Sequence, residues 1–341
     1  MIAVETLKQP NLAVTIIIPC RNEEKTIHLV LDALYRQTFP MEEMEVVIAD
    51  GLSTDNTRSA IQAFTETHPG LKIRLLDNPK KNIPSGLNIA IKAAVGEIVV
   101  RMDAHSLPNP DYVTRMVAAI QSNIAENVGG VWDIKPRNQG WVARSIAAAA
   151  GNPLSVGDAH YRFTDKAAYV DTVPYGSYRR SLFDEIGLFD ETLLANEDYE
   201  MNTRIRQTGG RIWLDPAIRC TYFARPTFRT LAEQYWGYGF WKAQMLKRYP
   251  KTLRWRQALP PLFVLALMIL AITGFIWRPA WVALAIILAI YLIIQLIPAV
   301  LIAIKKSDPS LVFGIVLATL TMHMSWGTAL IVGLFSNPGR K

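Results

Sequence analysis

Short apolar runs and amphipathic stretches alternate along the N-terminal part of the chain, and this alternation predicts an α/β fold. Four runs are rich in β-branched residues and bounded by turn residues, as buried parallel strands are. They are "AVTIIIPC", "MEVVIAD", "KIRLLDN" and "EIVVRMDA". The stretches between them carry apolar residues at helical spacing, as in "NEEKTIHLVLDALYRQ". The order β-α-β-α-β-α-β predicts a doubly wound, mainly parallel sheet.

Polar residues indicate where the first two helices begin. Asn22 has the side chain of a good N-cap for the first helix, and Ser53 or Thr54 has it for the second. These positions predict that each helix starts directly after the strand that precedes it.

Three long apolar stretches near the C-terminus predict membrane spans. They lie at about residues 259–277, 280–304 and 311–335. Each is about as long as a bilayer-spanning helix, and none contains Asp, Glu, Lys or Arg. A buried set of helices in a soluble core is the alternative, but such a core does not require three long runs in succession.

Basic residues beside these spans indicate their orientation. The segment "KRYPKTLRWR" precedes the first span, and Lys305 and Lys306 follow the second. Basic loops remain in the cytoplasm, so this pattern favours a cytoplasmic N-terminal part. Arg340 and Lys341, after the third span, disagree with that orientation.

The stretch "RTLAEQYWGYGFWKAQMLKRYP" joins the α/β part to the first span. Leu231, Tyr235, Tyr238 and Met245 recur in it at helical spacing, with further rings and basic residues beside them. Aromatic rings and cations directly before a span are typical of a helix that lies in the membrane interface. Simple anchoring is the alternative role for this helix.

Composition excludes two classes of protein. The net charge is +7, but no run of Lys and Arg forms a groove for nucleic acid, so no nucleic-acid partner is expected. Cys20 and Cys220, the two cysteines, cannot build a disulfide framework and suit a reducing compartment.

Polar groups follow three of the predicted strands. These are Pro19, Arg21 and Glu23 after the first strand, Asp50 and Gly51 after the second, and Asp103 and His105 after the fourth. Any one of them fits an ordinary loop. Ligands of doubly wound sheets bind at the carboxyl ends of the strands, so together these groups predict a shared polar site.

The chemistry of that site is narrowed by motifs that the chain lacks. No G-x-G-x-x-G follows the first strand, and no G-x-x-x-x-G-K-[ST] occurs, so a Rossmann dehydrogenase or a P-loop enzyme would lack its phosphate cradle. A divalent cation held by Asp103 and His105 would neutralise phosphates instead. A strand-end turn with a solvated histidine is the alternative interpretation.

Five motifs in register resemble a known family. They are "VTIIIPCRNEEKTI", "VVIADGLSTDNT", "GLNIAI" with "AVGEIVVRMDAH", "YGSYRRSLFDEIGLFDE" and "NEDYEMNTRIRQTGGRI". In this order they resemble the family 2 inverting glycosyltransferases of GT-A fold, over roughly residues 12–240. The spans behind "QYWGYGFWKAQMLKRYP" make the chain similar to bacterial exopolysaccharide enzymes of the succinoglycan type.

Three parts are expected: a cytoplasmic GT-A domain (1–228), an amphipathic interfacial helix with a basic linker (229–256) and a membrane domain (257–341).

The resemblance implies a nucleotide-sugar site. Asp50 would accept a hydrogen bond from the base, and the residues expected to line the donor site with it are Pro19, Arg21, Glu23, Gly51, Gly86, Asn88 and Asp103. Leu87 replaces the arginine that the family usually has before the position of Asn88. Asp103 and His105 occupy the D-x-D positions, where the family binds Mg²⁺ or Mn²⁺. The histidine in place of the second aspartate suits Mn²⁺ better, because Mg²⁺ prefers oxygen ligands.

The resemblance also implies the catalytic residues. Glu197 and Asp198 match the acidic pair of the family, with Asp198 as the general base and Glu197 in support. One base suffices for inverting transfer, because the acceptor hydroxyl attacks the anomeric carbon in a single step. Asn196 to Asp198 also fit a helix cap with an acidic first turn, which is the alternative.

Two further groups of residues are expected near the acceptor and the membrane. Gly176 and Ser177 align with the segment beside the transferred sugar. Gln234, Tyr235 and Trp236 occupy the place of the Q-x-x-R-W motif of processive synthases, which they echo only faintly. The resemblance therefore implies transfer of a single sugar, not polymerisation.

The expected function is that of a multi-pass enzyme of the bacterial inner membrane with a cytoplasmic catalytic domain. It would move glucose from UDP-glucose to a polyprenyl-diphosphate-linked oligosaccharide in exopolysaccharide synthesis, with other polysaccharide-assembly proteins as further partners. One alternative is transfer directly onto polyprenyl phosphate. Another is a non-catalytic assembly subunit, against which the full set of acidic positions argues.

Overall fold

The computed structural model describes residues 12–336. Its strands are β1 Val14–Cys20, β2 Met44–Asp50, β3 Lys72–Asp77, β4 Ile98–Arg101, β5 Leu107–Pro108, β6 Asn127–Pro136, β7 Ala168–Tyr169, β8 Ser177–Arg179 and β9 Ile212–Ala224. Its α-helices are α1 Ile27–Tyr35, α2 Thr57–Thr67, α3 Ile83–Ala93, α4 Tyr112–Gln121, α5 Trp141–Ala150, α6 Pro153–Val156, α7 Leu182–Ile186, α8 Glu197–Gln207, α9 Phe228–Arg248, α10 Trp255–Gly274, α11 Pro279–Lys305 and α12 Ser310–Phe335.

The strands form one mixed sheet in the order β3-β2-β1-β4-β8-β6-β9-β5, with β7 paired to β9. The predicted parallel pairing is confirmed for β1 to β4, which are joined by the helices α1, α2 and α3. Beyond β4 the pairing is antiparallel, as between β4 and β8 and between β8 and β6. The sheet therefore joins a doubly wound half to an antiparallel half.

Burial of the parallel strands in the core accounts for their continuous apolar sequences. Every residue of β1, β2 and β4 is buried, because parallel strands are covered on both faces. On α1 the buried residues are Ile27, Val30, Leu31 and Leu34, the residues whose spacing predicts the helix.

The predicted helix starts are wrong by a few residues. α1 begins at Ile27 and α2 at Thr57. Asn22 adopts a left-handed backbone with φ of 55°, and its Oδ1 accepts the backbone N–H of Thr54 at 2.9 Å. The residues expected to cap the helices instead tie together the two loops that follow β1 and β2.

The chain forms two compact units. The first unit holds the chain up to Trp132 together with Thr164–Thr221, and the second holds Asp133–Phe163 together with the chain from Tyr222 onward. By contacts, residues 133–163 therefore group with the C-terminal helices, although they lie within the range 1–228. The division into three parts at residues 228 and 256 stays a prediction.

The second unit contains three candidate membrane helices. α10, α11 and α12 are each long and apolar enough to cross a bilayer, and they cover the three predicted spans. α9 precedes them and ends in the basic residues Lys247 and Arg248. One face of α9 packs on α12, where a Cβ at Gly239 would clash with the carbonyl of Trp326. The location of α9 in a membrane interface stays a prediction.

Candidate functional site

A buried arginine lies at the carboxyl end of β4. The side chain of Arg101 is 3% exposed, and its guanidinium contacts three carboxylates. Nη2 is 2.9 Å from Oε1 of Glu197 and 3.3 Å from Oδ1 of Asp103, and Nη1 contacts Oδ1 of Asp198. A buried cation is costly unless it is paired and hydrogen-bonded. Arg101 therefore holds the loop after β4 against the first turn of α8.

The acids at the start of α8 differ in their partners. Glu200 pairs with Arg204 of the same helix at 2.7 Å, as expected for an i,i+4 ion pair. Glu197 and Asp198 instead contact Arg101 from the neighbouring strand. An acidic first turn suits the positive end of the helix dipole, but it does not explain why two of its acids converge on Arg101.

The surroundings of Asp198 favour its protonated form. Burial raises the pKa of Asp198 to about 7, with Arg101 opposing the rise and Glu197 and Asp103 adding to it. A carboxylate with a pKa near neutral is matched to accepting a proton at neutral pH.

His105 connects the loop after β4 to the loop after β1. Its Nδ1 lies 3.0 Å from Oε1 of Glu23. Glu23 is fixed in turn by its own N–H, which donates to Oγ1 of Thr57 at 2.7 Å. The loops after β1, β2 and β4 are thus joined by hydrogen bonds, as a shared site at one sheet edge requires.

Asp103 and His105 have the donor chemistry of a two-residue cation site. No group of three or more His, Cys, Asp or Glu side chains is placed to hold a metal ion within residues 12–336. Mg²⁺ is often bound through one or two carboxylates plus substrate phosphates, so two protein ligands suffice when a diphosphate completes the shell. The Glu23 carboxylate on one nitrogen of His105 is the arrangement that orients metal-binding imidazoles. These residues therefore fit a divalent cation.

Asp50 lies at the end of β2 and is fully buried. Its carboxylate accepts hydrogen bonds from the N–H and hydroxyl of Ser53, at 3.1 and 2.5 Å, and pairs with Nη1 of Arg58 at 2.9 Å. These contacts fix the carboxylate at the point where β2 ends.

Two glycines allow close packing around the ends of β1 and β2. A Cβ at Gly51 would lie 3.1 Å from Cδ of Arg21, so the glycine lets the Arg21 side chain pass over the loop. A Cβ at Gly86 would lie 3.2 Å from Cβ of Pro19 and 3.0 Å from the amide of Asn78. The structure thus brings Pro19, Arg21, Gly51 and Gly86 to the same edge of the sheet.

Asn88 lies in α3, with its amide held by the loop that precedes α8. Its Nδ2 donates to the carbonyl of Phe189 and to Oε1 of Glu191, both at 2.9 Å, and its Oδ1 accepts the N–H of Phe189 at 2.9 Å. These bonds position the loop before Glu197. A role of Asn88 in donor binding stays a prediction.

Gly176 and Ser177 are buried beside Arg101. The carbonyl of Gly176 accepts the backbone N–H of Arg101 at 3.0 Å, and the hydroxyl of Ser177 donates to the carbonyl of Val128 at 3.1 Å. The preceding Tyr175 places its ring centroid 5.9 Å from Cζ of Arg101. This segment therefore supports the arginine; its expected contact with the acceptor stays a prediction.

Gln234, Tyr235 and Trp236 belong to the second unit. Nε2 of Gln234 donates to the hydroxyls of Tyr222 and Tyr238 at 2.9 and 3.0 Å. Tyr235 is buried, whereas 44% of Trp236 is exposed. Their predicted role near the acceptor is untested.

Arg101 is the residue that sequence reasoning missed. The signal was an arginine at the end of the apolar run "EIVVR", two positions before Asp103. A buried strand end does not carry a cation without nearby anions. That rule points to acids near Arg101, but it does not say which ones.

Comparisons with known proteins identify the family and the fold. The sequence model of glycosyl transferase family 2 matches residues 15–187. The chain is 27% identical over 302 residues to a Methanococcus voltae enzyme, across 87% of this chain and 89% of that protein. That enzyme is the dolichyl N-acetyl-α-D-glucosaminyl phosphate 3-β-D-2,3-diacetamido-2,3-dideoxy-β-D-glucuronosyltransferase.

A second relative and a solved structure extend the comparison. The succinoglycan biosynthesis protein ExoA of Rhizobium meliloti is 29% identical over 247 residues, across 72% of this chain and 73% of that protein. The mannosyltransferase PcManGT of Pyrobaculum calidifontis, solved with GDP-mannose and Mn²⁺, superposes with a TM-score of 0.63 at 22% identity. That superposition covers 94% of this chain and 86% of the mannosyltransferase, which confirms the predicted GT-A fold.

The family model covers half of the chain and ends at residue 187, directly after α7, so it includes the strand ends that carry Asp50 and Asp103. The predicted resemblance is confirmed by this match and by the two relatives. The protein is a glycosyltransferase, and it belongs to glycosyl transferase family 2.

Proposed function

We propose that this glycosyltransferase moves a single sugar, with inversion, from a nucleoside-diphosphate donor to an acceptor carried by a polyprenyl lipid. The observation that supports this most is that Arg101 gathers Asp103, Glu197 and Asp198 around one guanidinium. The same loop is tied through His105 to Glu23, beside the proposed nucleotide end of the site.

Asp198 is proposed to act as the general base. Its carboxylate would take the proton of the acceptor hydroxyl as that oxygen attacks the anomeric carbon of the donor sugar. Burial raises the pKa of Asp198 to about 7, which suits this proton transfer near neutral pH. Glu197 would share the Arg101 guanidinium and so help to fix the position of Asp198.

The donor is proposed to lie along the ends of β1, β2 and β4. Asp50 would accept a hydrogen bond from the base, and Pro19, Arg21, Gly51 and Gly86 would line the nucleoside, with Glu23 orienting His105. Asp103 and His105 would hold a divalent cation, Mn²⁺ or Mg²⁺. That cation supplies positive charge against the departing nucleoside diphosphate. The Pyrobaculum mannosyltransferase was solved with ligands of this class, GDP-mannose and Mn²⁺.

A lipid-linked acceptor is supported by two features. One is the set of candidate membrane helices. The other is the name of the Methanococcus relative, which describes transfer to a sugar already attached to dolichyl phosphate. We therefore favour transfer to a glycan already linked to the lipid over transfer to polyprenyl phosphate itself, and a diphosphate as that link is a proposal without support from either feature. Exopolysaccharide synthesis, suggested by likeness to the succinoglycan protein, UDP-glucose as the donor and assembly proteins as partners remain proposals.

The proposed location is the bacterial inner membrane, with the catalytic domain in the cytoplasm. Lys305 is the last residue of α11 and Lys306 follows it, and basic residues precede α10. Under the positive-inside rule these segments lie in the cytoplasm.

The function is tested with membranes that contain the full chain, supplied with radiolabelled nucleotide sugars and a lipid extract, with and without Mn²⁺. We expect one donor to label a lipid-linked product in which the new sugar is joined to another sugar. Asp198→Asn should abolish labelling, while the matched control Glu233→Gln, an exposed acid on α9, should not. A sugar joined directly to lipid phosphate would support the alternative acceptor. Donor binding without turnover for every nucleotide sugar would indicate a non-catalytic subunit.

A further inference from the structure

The third candidate membrane helix is covered by protein to an unusual degree. We compared the most apolar 18-residue stretch of each of the three helices. In α12, 44% of this stretch is buried, against 17% in α10 and 11% in α11. Much of the cover comes from α5, α6 and α9 of the same unit. A Cβ at Gly314 would clash with Ser145 of α5, and the hydroxyl of Thr319 lies 2.6 Å from that of Ser155 in α6. α12 is thus packed on helices that are not themselves membrane spans.

The start of α12 lies on the side of the bilayer from which α10 enters. α10 and α11 form an antiparallel hairpin, in which the rings of Phe263 and Tyr291 stack with centroids 4.5 Å apart. Lys305, at the end of α11, therefore returns to the side on which α10 begins, here called the near side. Only the loop Lys306–Pro309 separates it from α12.

The end of α12 lies on the near side as well. The carbonyl of Ser336 accepts hydrogen bonds from Nζ of Lys247 at 2.6 Å and from Nε2 of Gln244 at 3.1 Å, both in the last turns of α9. The linker from Arg248 to Trp255 reaches at most roughly 25 Å when fully extended. The hydrocarbon core is about 30 Å thick, and part of this linker is coiled in a 3₁₀ turn, Pro250–Thr252. Lys247 and Ser336 therefore cannot lie across the core from the start of α10.

The middle of α12 gives the same result. A Cβ at Gly327 would lie 2.7 Å from the carbonyl oxygen of Pro260, so the two backbones touch. Pro260 lies about 8 Å along α10 from its near-side start, whereas Gly327 lies about 26 Å along α12 from its own start, at 1.5 Å per residue. At 1.5 Å per residue, the stack of Phe263 on Tyr291 places the start of α10 about 9 Å deeper than the end of α11, so an upright α12 would leave Pro260 and Gly327 about 9 Å apart in depth. Their contact therefore requires α12 to be inclined.

We propose that α12 lies along the near-side boundary of the bilayer and does not cross it, although its length and composition would allow a crossing. The side chains that it leaves exposed would then contact the boundary between lipid headgroups and acyl chains, as those of in-plane helices do. They are Phe313, Val332, Leu334 and Phe335, which are 65%, 40%, 44% and 88% exposed.

This arrangement resolves the disagreement among the basic flanks. With α10 and α11 as the crossing pair, the sequence after α12 stays on the near side. Arg340 and Lys341, which lie outside the described residues, would then share a side with Lys305 and Lys306. The near side would then carry most of the basic flanks, against the single Arg278 at the far tip of the hairpin, as the positive-inside rule expects.

The test is the sidedness of single cysteines in the full chain, expressed in a bacterial host. Lys251→Cys marks the near side, Ile276→Cys marks the tip of the hairpin, and Ser336→Cys marks the end of α12. A charged, membrane-impermeant maleimide is applied to inverted vesicles and to intact spheroplasts. The unmodified chain gives the background, because its two cysteines are buried.

We expect Ser336→Cys to be labelled from the same side as Lys251→Cys, the near side. Labelling from that side should be about tenfold faster than from the other side, because the charged reagent does not cross hydrocarbon. Labelling of Ser336→Cys from the opposite side would show that α12 crosses the bilayer and would overturn the proposal. A cysteine appended after Lys341 repeats the measurement without altering any described residue, so a misfolded Ser336→Cys variant would not leave the question open.

Discussion

Two buried arginines, one in each unit, are accommodated in different ways. Arg101 in the first unit is surrounded by the carboxylates of Asp103, Glu197 and Asp198. Arg162 in the second unit is 8% exposed, and its Cζ lies 5.5 Å from the ring centroid of Tyr161 and 5.9 Å from that of Tyr222. Carboxyl groups surround the first cation, whereas the second has ring faces among its contacts.

The difference bears on what each cluster can do. Acids around Arg101 can exchange protons or bind a cation, so their geometry is tied to reaction chemistry. Ring faces around Arg162 contribute a weaker electrostatic attraction and a large packed surface. Gln234 also donates to the hydroxyl of Tyr222, so a residue predicted near the acceptor belongs to the second cluster. We expect substitutions in the first cluster to affect catalysis and those in the second to affect mainly stability.

The largest expected effect comes from Asp198→Asn, which removes the proposed base and keeps its shape. The turnover number should fall by roughly 10³-fold, within the range that general bases contribute. Donor affinity should change little, because the amide cannot take the proton but occupies the same space. Initial rates and donor titration measure the two quantities, with Glu233→Gln as the control. Wild-type turnover by Asp198→Asn would remove this residue from the mechanism.

Arg101→Met should have the next largest effect. It leaves three acids without their shared cation, and breaking a buried ion pair from one side costs about 3–5 kcal/mol of unfolding free energy. Arg101→Lys keeps the charge but not the fork of donors, so we expect it to restore stability better than turnover.

The two quantities are separated by denaturant titration in detergent and by initial rates. Arg229→Met, at an arginine whose side chain is 89% exposed, is the matched control and should leave both unchanged. If Arg101→Lys restored stability and turnover to the same degree, Arg101 would be a structural cation without a positioning role. Recovery of turnover by added guanidinium ion in Arg101→Ala would support that positioning role directly.

Arg162→Met should affect stability alone. Loss of the ring contacts should lower the unfolding free energy by up to about 2 kcal/mol, the scale of a desolvated cation–π interaction. The donor KM and the turnover number should remain those of the wild type at temperatures where the variant is folded. A tenfold loss of turnover, which is about 1.4 kcal/mol, would show that the comparison between the two clusters is wrong.

The smallest effect is expected from pH. Burial raises the pKa of Asp198 to about 7, and a base must be ionised to act. Activity should therefore decline as pH falls through about 7 and be roughly tenfold below its plateau one unit lower. Initial rates at limiting acceptor from pH 5.5 to 9 measure this, and donor affinity is measured at each pH so that a loss of metal or donor binding is not counted as loss of the base. A profile that stays flat across neutral pH would contradict the raised pKa.

Periodicity along the chain was enough to predict the four parallel strands and the three long apolar helices. Runs such as "VTIIIPC" are continuous because parallel strands are buried on both faces, and the three apolar stretches have the length of bilayer-spanning helices. The acidic pair Glu197 and Asp198 and the polar residues at the strand ends were also recognisable from the sequence. They lie in motifs that follow one another in the same order as in the family.

Tertiary structure alone decided which of these parts meet. Arg101 lies 96 residues before Glu197, so their contact depends on how β4 and α8 are packed, not on any local pattern. The same holds for α12: its composition admits a crossing, whereas its contacts with Lys247 and Pro260 constrain its path. Local patterns record which side chains prefer to be buried. Which charges pair, and at what depth a helix lies, depends on residues far away along the chain.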